Sequence, residues 1–142
     1  MDNVADSLVK NIEWYKTLMN HNQFENTNFD NRCGKFMNAS NYLAENEVLN
    51  VRFDSELPEK VNHIALRYRG ACDTSTIINV LNTLGELERM ETLKRSSYML
   101  KPGGRVFIAM EGENLADYLY MVRQVFPVAK IKYNMIVAWK DF

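Results

Sequence analysis

One stretch limits the possible folds of this chain more than any other. Arg105-Val106-Phe107-Ile108-Ala109-Met110 follows directly on Pro102-Gly103-Gly104. A nearly continuous apolar run opened by a tight turn is the pattern of a strand buried on both faces. Such strands belong to parallel sheets whose two faces are covered by helices. The flanking sequence agrees. Leu115, Tyr118, Leu119, Val122 and Phe126 recur at helical spacing and stop at Pro127. Beyond them, Ala129 to Tyr133 and Met135 to Lys140 flank Asn134 as the arms of a terminal antiparallel hairpin.

Upstream, Val48, Leu49, Val51 and Phe53 predict a strand that stops at Asp54-Ser55, and Ser40 caps a short helix through about Asn46. Val61 to Tyr68 reads as a further strand, followed by a turn at Arg69-Gly70-Ala71-Cys72 and a helix cap at Asp73-Thr74-Ser75. The stripe Ile77, Val80, Leu81, Leu84 then has helical spacing. It changes phase past Gly85 to Leu87, Met90, Leu93, Ser97, Leu100, which predicts a break there. Val4, Leu8, Ile12, Tyr15 and Met19 predict an N-terminal helix over about 4–19, with Val9 and Leu18 nearby. Residues from about 21 to 47 are read as irregular, with His21 to Arg32 a polar loop. The whole is a single α/β domain spanning 1–142: a small, mostly parallel sheet covered by helices, ending in an antiparallel hairpin. At ~30 residues per βαβ unit there is room for about five strands.

Composition removes several classes. Seventeen basic against 18 acidic side chains leave a net charge of −1, so a strongly electrostatic nucleic-acid or anionic-lipid binder is not indicated. The longest apolar runs, Val106 to Met110 and Met135 to Trp139, fall far short of the ~20 residues of a membrane helix. The start, Met1 to Asp6, is acidic and lacks the pattern of a secretory signal, so a cytoplasmic protein is expected. Cys33 and Cys72 are too few for a disulfide scaffold and lie in no zinc-site spacing, so both are expected to be reduced thiols, with no metal bound. No Ser-His-Asp, paired-carboxylate or metal-ligand pattern emerges, and no catalytic residue is assigned.

Open α/β sheets bind ligands beyond the carboxyl ends of their strands. The positions to inspect are therefore Asp54, the segment Arg69-Gly70 to Asp73, and Glu111-Gly112, which share one rim if the strands are parallel. Each has a plainer reading: Asp54 as a turn former, Asp73 as a helix N-cap and Glu111 as a solvated loop acid. His63, within an apolar strand, reads as a satisfied buried histidine, and His21 lies in a polar loop with no visible partner.

Tyr98-Met99-Leu100-Lys101-Pro102-Gly103-Gly104-Arg105-Val106-Phe107-Ile108 resembles the helix end, "LKPGG" turn and fifth strand of the class I S-adenosylmethionine-dependent methyltransferases. Val51 to Glu59 followed by Val61 to Leu66 is similar to that family's third strand, acidic residue, "LP" turn and fourth strand. The last helix and hairpin resemble its reversed final strand. The likeness covers roughly residues 34–142 and implies a Rossmann-like fold. A complete member opens with a strand and a Gly-rich loop near the cofactor's methionine part, then places an acid on the ribose after the next strand. Phe29-Asp30-Asn31-Arg32-Cys33-Gly34 resembles that loop faintly, with one glycine. Alternatively, Gly34 to Ser40 resembles the second strand, with Asn38 at the ribose position. A small or truncated member without a clear Gly-rich loop is the result.

The resemblance implies an S-adenosylmethionine cofactor, with Gly34, Asn38, Asp54, Arg69, Gly70 and Asp73 as candidate contacts and Asp54 on the adenine amino group. It implies a methyltransferase whose methyl acceptor is unknown. Glu111 stands where a ribose 2′-O-methyltransferase carries a lysine, so that subclass is not supported. The alternative is an inactive descendant acting in protein-protein interaction or assembly, with Tyr118, Tyr120, Tyr133, Trp139 and Phe142 as contact surface. A sheet lacking its usual first strands also leaves an exposed edge that favours a homo-oligomer. A third possibility, cleavage of the cofactor, has no feature selecting it.

Overall fold

The computed structural model describes residues 4–141, with side chains from residue 11 onward. The acidic start at Met1 to Asn3, the contact role of Phe142 and the packing of Val4, Leu8 and Val9 lie outside the described residues. Six strands, β1 (Thr27–Asn31), β2 (Leu49–Phe53), β3 (Cys72–Ile78), β4 (Leu100–Ala109), β5 (Val128–Lys132) and β6 (Met135–Trp139), form one sheet. Its order is β2-β1-β3-β4-β6-β5. The first four strands in that order are parallel, whereas β6 runs antiparallel to both β4 and β5. Five helices, α1 (Val4–Asn20), α2 (Asn38–Glu45), α3 (Glu59–Ala65), α4 (Glu86–Met99) and α5 (Ala116–Arg123), cover it.

Alternation along β4 divides the core. Val106 and Ile108 pack with Leu93 of α4, Ala65 of α3 and Val122 of α5, while Phe107 and Ala109 pack with Leu18 of α1 and Leu43 of α2. All four β4 side chains are fully buried, as a two-sided strand requires. The Pro102–Gly104 turn lies within β4. Leu100 pairs with Cys72 and Arg105 with Thr74, so Lys101 to Gly104 arch out of register. At the far edge, Tyr133 and Asn134 both take left-handed φ values, 57° and 60°, the backbone of a two-residue hairpin turn.

Three local expectations are overturned. Val61 to Tyr68 is helical: α3 runs through Ala65 and a 3-10 turn follows over Leu66–Tyr68. Asp73 to Ile77 is not a cap and helix but the most buried strand, β3, and the α-helix starts only at Glu86, with Gly85 at its N-cap rather than at a break inside a helix. The segment read as a loop contains β1, at the centre of the parallel strands. One physical cause links the last two. Asn28, Asp30, Asn50, Thr74 and Thr76 point to the same face of β1, β2 and β3 and bond to one another there. Asn28 Nδ2 donates to Asn50 Oδ1 and to Thr76 Oγ1, each at 2.9 Å, and Asn50 Nδ2 donates to Asp30 Oδ2 at 2.9 Å. Tyr15 of α1 closes the network by donating to Asp30 Oδ1 at 2.7 Å. On this face the strands satisfy their polar side chains internally, and so lack the apolar alternation of ordinary strands.

Candidate site at the carboxyl rim of the sheet

From β1 the chain moves outward to β2 through α2, then crosses back over β1 to β3 through α3. The loops after β1 and β3 therefore part in opposite directions, the topological switch point where open α/β sheets bind ligands. After β1 the chain turns sharply: Arg32 and Gly34 both have left-handed φ, 56° and 75°. The Gly34 N–H donates to Asp54 Oδ2 at 2.6 Å, and the Cys33 N–H donates to the Phe53 carbonyl at 3.1 Å. The other Asp54 oxygen accepts from the Glu56 N–H at 3.0 Å. Asn62 of α3 bonds both main-chain groups of Asp54, at 3.0 and 2.7 Å. The Arg52 guanidinium ties the loop down from beneath, donating to the Gly34 and Phe36 carbonyls at 3.2 and 3.3 Å. A β-carbon built on Gly34 meets nothing within 4 Å, so the space beside the loop is open. Burial, with Asp30 nearby, pushes the Cys33 thiol up to about 12, which keeps it protonated and unfit as a nucleophile.

After β3, Asn79 adopts a left-handed φ of 57° and links three elements. Its N–H donates to the Ala109 carbonyl, its Nδ2 to Asn11 Oδ1 of α1, and its Oδ1 accepts the Glu111 N–H, each at 2.7 Å. Next to it Trp14, Glu111, Gly112, Glu113 and Asn134 line a small polar cleft of about 100 Å3, with the Trp14 indole N–H buried and without a partner among the described residues. A larger apolar cavity of about 360 Å3, lined by Phe29, Phe53, Leu66, Arg95 and Met99, lies between α3 and α4 on the helix face rather than at the rim.

The expected residues fall into three groups. Gly34 and Asp54 meet at the switch point, and Glu111-Gly112 follows β4 on the same rim. Arg69, Gly70 and Asp73 do not share it, because Asp73 opens β3 instead of capping a helix, and all three lie at the amino end of the strands. The Asp73 carboxylate there accepts the Asn26 and Thr27 N–H groups at 3.0 Å each and pairs with Lys101 at 2.7 Å. Arg69 is exposed and donates to the Leu66 carbonyl, and the Gly70 N–H donates to Tyr98. Asn38 is exposed at the start of α2, so the reading of Gly34 to Ser40 as a strand is corrected. His63 is exposed on α3 rather than buried in a strand, and His21 does have a partner, stacking on Tyr133 at 4.3 Å. Sequence reading missed Arg52 and Asn79. Asn79 carried one usable signal, a turn-favouring residue closing a run of β-branched side chains.

A strand does precede Gly34, namely β1, and the turn that follows it, Arg32 to Gly34, holds a single glycine. Asp54 follows the next strand in both chain order and space, β2. The strand that holds Pro102-Gly103-Gly104 is the fourth of this chain, where the resemblance counts a fifth.

No family model matches the chain, and no curated protein matches it by sequence. Solved structures do match. A 1,6-didemethyltoxoflavin-N1-methyltransferase from Burkholderia thailandensis, bound to 1,6-didemethyltoxoflavin and S-adenosylhomocysteine, superposes with a TM-score of 0.60 at 14% identity. The match covers 89% of this chain and 76% of that one. A 16S rRNA methyltransferase from T. thermophilus, in complex with AdoMet and guanosine, gives 0.56 at 14% identity, over 84% of this chain and 36% of the other. A structure solved for the conversion of a disulfide bond into a thioacetal group during echinomycin biosynthesis gives 0.51 at 16% identity, over 66% and 47%. This chain thus spans less than half the length of the last two. At these identities the likeness is one of fold, and the fold is that of the class I methyltransferases.

Proposed function

We propose that this chain binds S-adenosylmethionine at the carboxyl rim and acts as a methyltransferase. The observation that carries the reading is the contact of Gly34 N–H with Asp54 Oδ2 at 2.6 Å, at the switch point of a fold shared with cofactor-bound methyltransferases. The residues present fit the group. The loop after β1 leaves open space beside Gly34. The Asp54 carboxylate takes one backbone N–H on each oxygen and, at 3.4 Å, the Ser55 hydroxyl on Oδ1; of about four lone-pair sites one stays free, and the long Ser55 bond is the one a second ribose hydroxyl would displace. Asp54 follows β2, and on this reading it holds the ribose rather than the adenine amino group. When bound, the cofactor supplies an activated methyl group for in-line displacement, a reaction that depends on alignment more than on acid or base help. The protein's part is to fix the loop: Arg52 pins it from below and Asp54 from the side.

The methyl acceptor is left open by this reading. Two free thiols, and no helix among the described residues long and apolar enough to cross a membrane, support a cytoplasmic location. An inactive assembly module on the same fold is the second reading. It is favoured by the single glycine of the loop and by the exposed β2 edge.

Calorimetric titration with S-adenosylmethionine and S-adenosylhomocysteine tests the proposal. One-to-one binding in the micromolar range is expected, weakened at least tenfold in Asp54→Asn and unchanged in Arg69→Ala at the opposite rim. Absence of saturable binding at millimolar ligand would leave the assembly reading, and equal affinity in Asp54→Asn would remove the site from Asp54.

A further inference from the structure

The edge formed by β2 is finished at both ends and open in the middle. Leu49 N–H donates to the Asn26 carbonyl and the Phe53 carbonyl accepts from Cys33, so the odd-numbered residues of β2 turn their main-chain groups toward β1. By the alternation of a strand, the even-numbered residues turn theirs outward. Val48 N–H is satisfied by the Leu43 carbonyl at 2.9 Å, and Asp54 N–H and C=O are satisfied by the Asn62 side chain. Between them, the N–H and C=O groups of Asn50 and Arg52 have no partner among the described residues. Around these groups the surface is apolar. Leu49 and Ile64, 49% and 44% exposed, line a groove of about 200 Å3 between β2 and α3, and Phe36, 45% exposed, lies beside Arg52 on the other face.

We propose that β2 is a self-pairing edge, on which a second copy of this chain adds its own β2 antiparallel about a two-fold axis through Val51. Register selects the second copy. Pairing Asn50 with Arg52 of the other copy, and Arg52 with its Asn50, makes two hydrogen-bonded pairs and satisfies all four open groups of each strand. Shifting by two residues one way matches Asn50 with Asn50 and leaves Arg52 opposite the already bonded Val48. Shifting the other way sets Arg52 against Arg52, a like-charge pair. In the favoured register Val51 faces Val51 across the axis and Leu49 faces Phe53, so apolar side chains meet on the α3 side. Asn50 faces Arg52 on the other. A closed two-fold contact of this kind is isologous, and it uses up the edge rather than propagating. It joins two six-stranded sheets into one and stands whether or not the cofactor site is occupied.

Sedimentation of the full chain over a concentration series tests the pairing. Wild type is expected to approach twice the 16.6 kDa monomer mass as concentration rises. Leu49→Lys, which puts an ammonium group into the apolar seam, is expected to stay at the monomer mass while its circular dichroism and dilute-solution melting match wild type. Val51→Cys reports the register, because a non-hydrogen-bonded antiparallel pair brings Cα atoms to about 4.5 Å, within reach of a disulfide. It is expected to form a covalent dimer on mild oxidation where wild type does not. A wild-type mass that stays monomeric at every concentration overturns the proposal and leaves the edge to a foreign strand. So does a dimer that survives Leu49→Lys and gives no cross-link through Val51→Cys.

Discussion

Asp30 and Asp73 lie near opposite ends of the sheet's parallel core, and their surroundings move their titrations in opposite directions. Burial raises the Asp30 carboxyl, and hydrogen bonds from Asn50, Tyr15 and Thr76 only partly offset it. A folded value above the unfolded one of about 3.9 means that Asp30's contribution to stability is full below that pH and declines as pH rises through the folded value. Burial alone would raise Asp73 too. The Lys101 ammonium and the Thr27 and Asn26 N–H groups outweigh it and hold the carboxyl low. Its contribution is therefore present above about pH 3.9 and lost as pH falls through the folded value. Urea unfolding over a pH series separates the two. Asp30→Asn is expected to gain on wild type as pH rises from about 4 toward neutrality, whatever constant offset the reorganised amide network adds. Asp73→Ala, which leaves two N–H groups without their acceptor, is expected to lose about 1–3 kcal/mol at neutral pH, and less in acid. Parallel pH profiles for wild type and Asp30→Asn would contradict the first expectation.

At the scale of the element, β4 carries both the clearest sequence signal and its own test. The arch at Lys101 to Gly104 lets β4 start beside Cys72 and re-enter register beside Thr74, while Gly103 and Gly104 exchange hydrogen bonds with Lys140 beyond β6. A β-carbon on Gly104 would sit 3.0 Å from the Asp73 and Lys101 carbonyl oxygens and 3.1 Å from Leu100 Cδ2. Two of those neighbours are backbone and cannot swing aside. Gly104→Ala is expected to cost about 1–3 kcal/mol, read as a lower denaturation midpoint with an unchanged slope. The same element shows why parts of this fold were legible in sequence. β4, α5 and the hairpin bury apolar side chains at their natural periods, so pattern alone found them. β1 and β3 bury Asn28, Asp30, Thr74, Ser75 and Thr76, residue types that ordinarily mark loops and caps, and only the cross-strand network explains their burial. α3 failed for another reason. Val61 to Leu66 is a short apolar run on which helix and strand patterns give the same answer. The site inherited both failures. Without β1, Gly34 had no strand before it, and Asp73 was moved to the wrong rim.

For the molecule as a whole, the two rims separate binding from stability. A ligand held only by the folded state stabilises it by RT ln(1 + [L]/Kd), about 2.7 kcal/mol at a hundredfold excess over Kd. For a chain of 142 residues, whose unfolding entropy near its midpoint is about 0.3 kcal/mol per kelvin, this is a rise in melting temperature of about 9 °C. Saturating S-adenosylhomocysteine is expected to produce a shift of that order in wild type. Asp54→Asn should lower the shift sharply, because Asp54 sits at the switch point with Gly34. Asp73→Ala should lower the starting melting temperature yet keep the shift, because its carboxylate serves Asn26, Thr27 and Lys101 at the amino end of β3. Loss of the shift in both variants would mean that ligand response follows general stability and not a site at the carboxyl rim. A retained shift in Asp54→Asn would move the ligand away from β2 altogether, toward Asn79 and the cleft it shares a rim with.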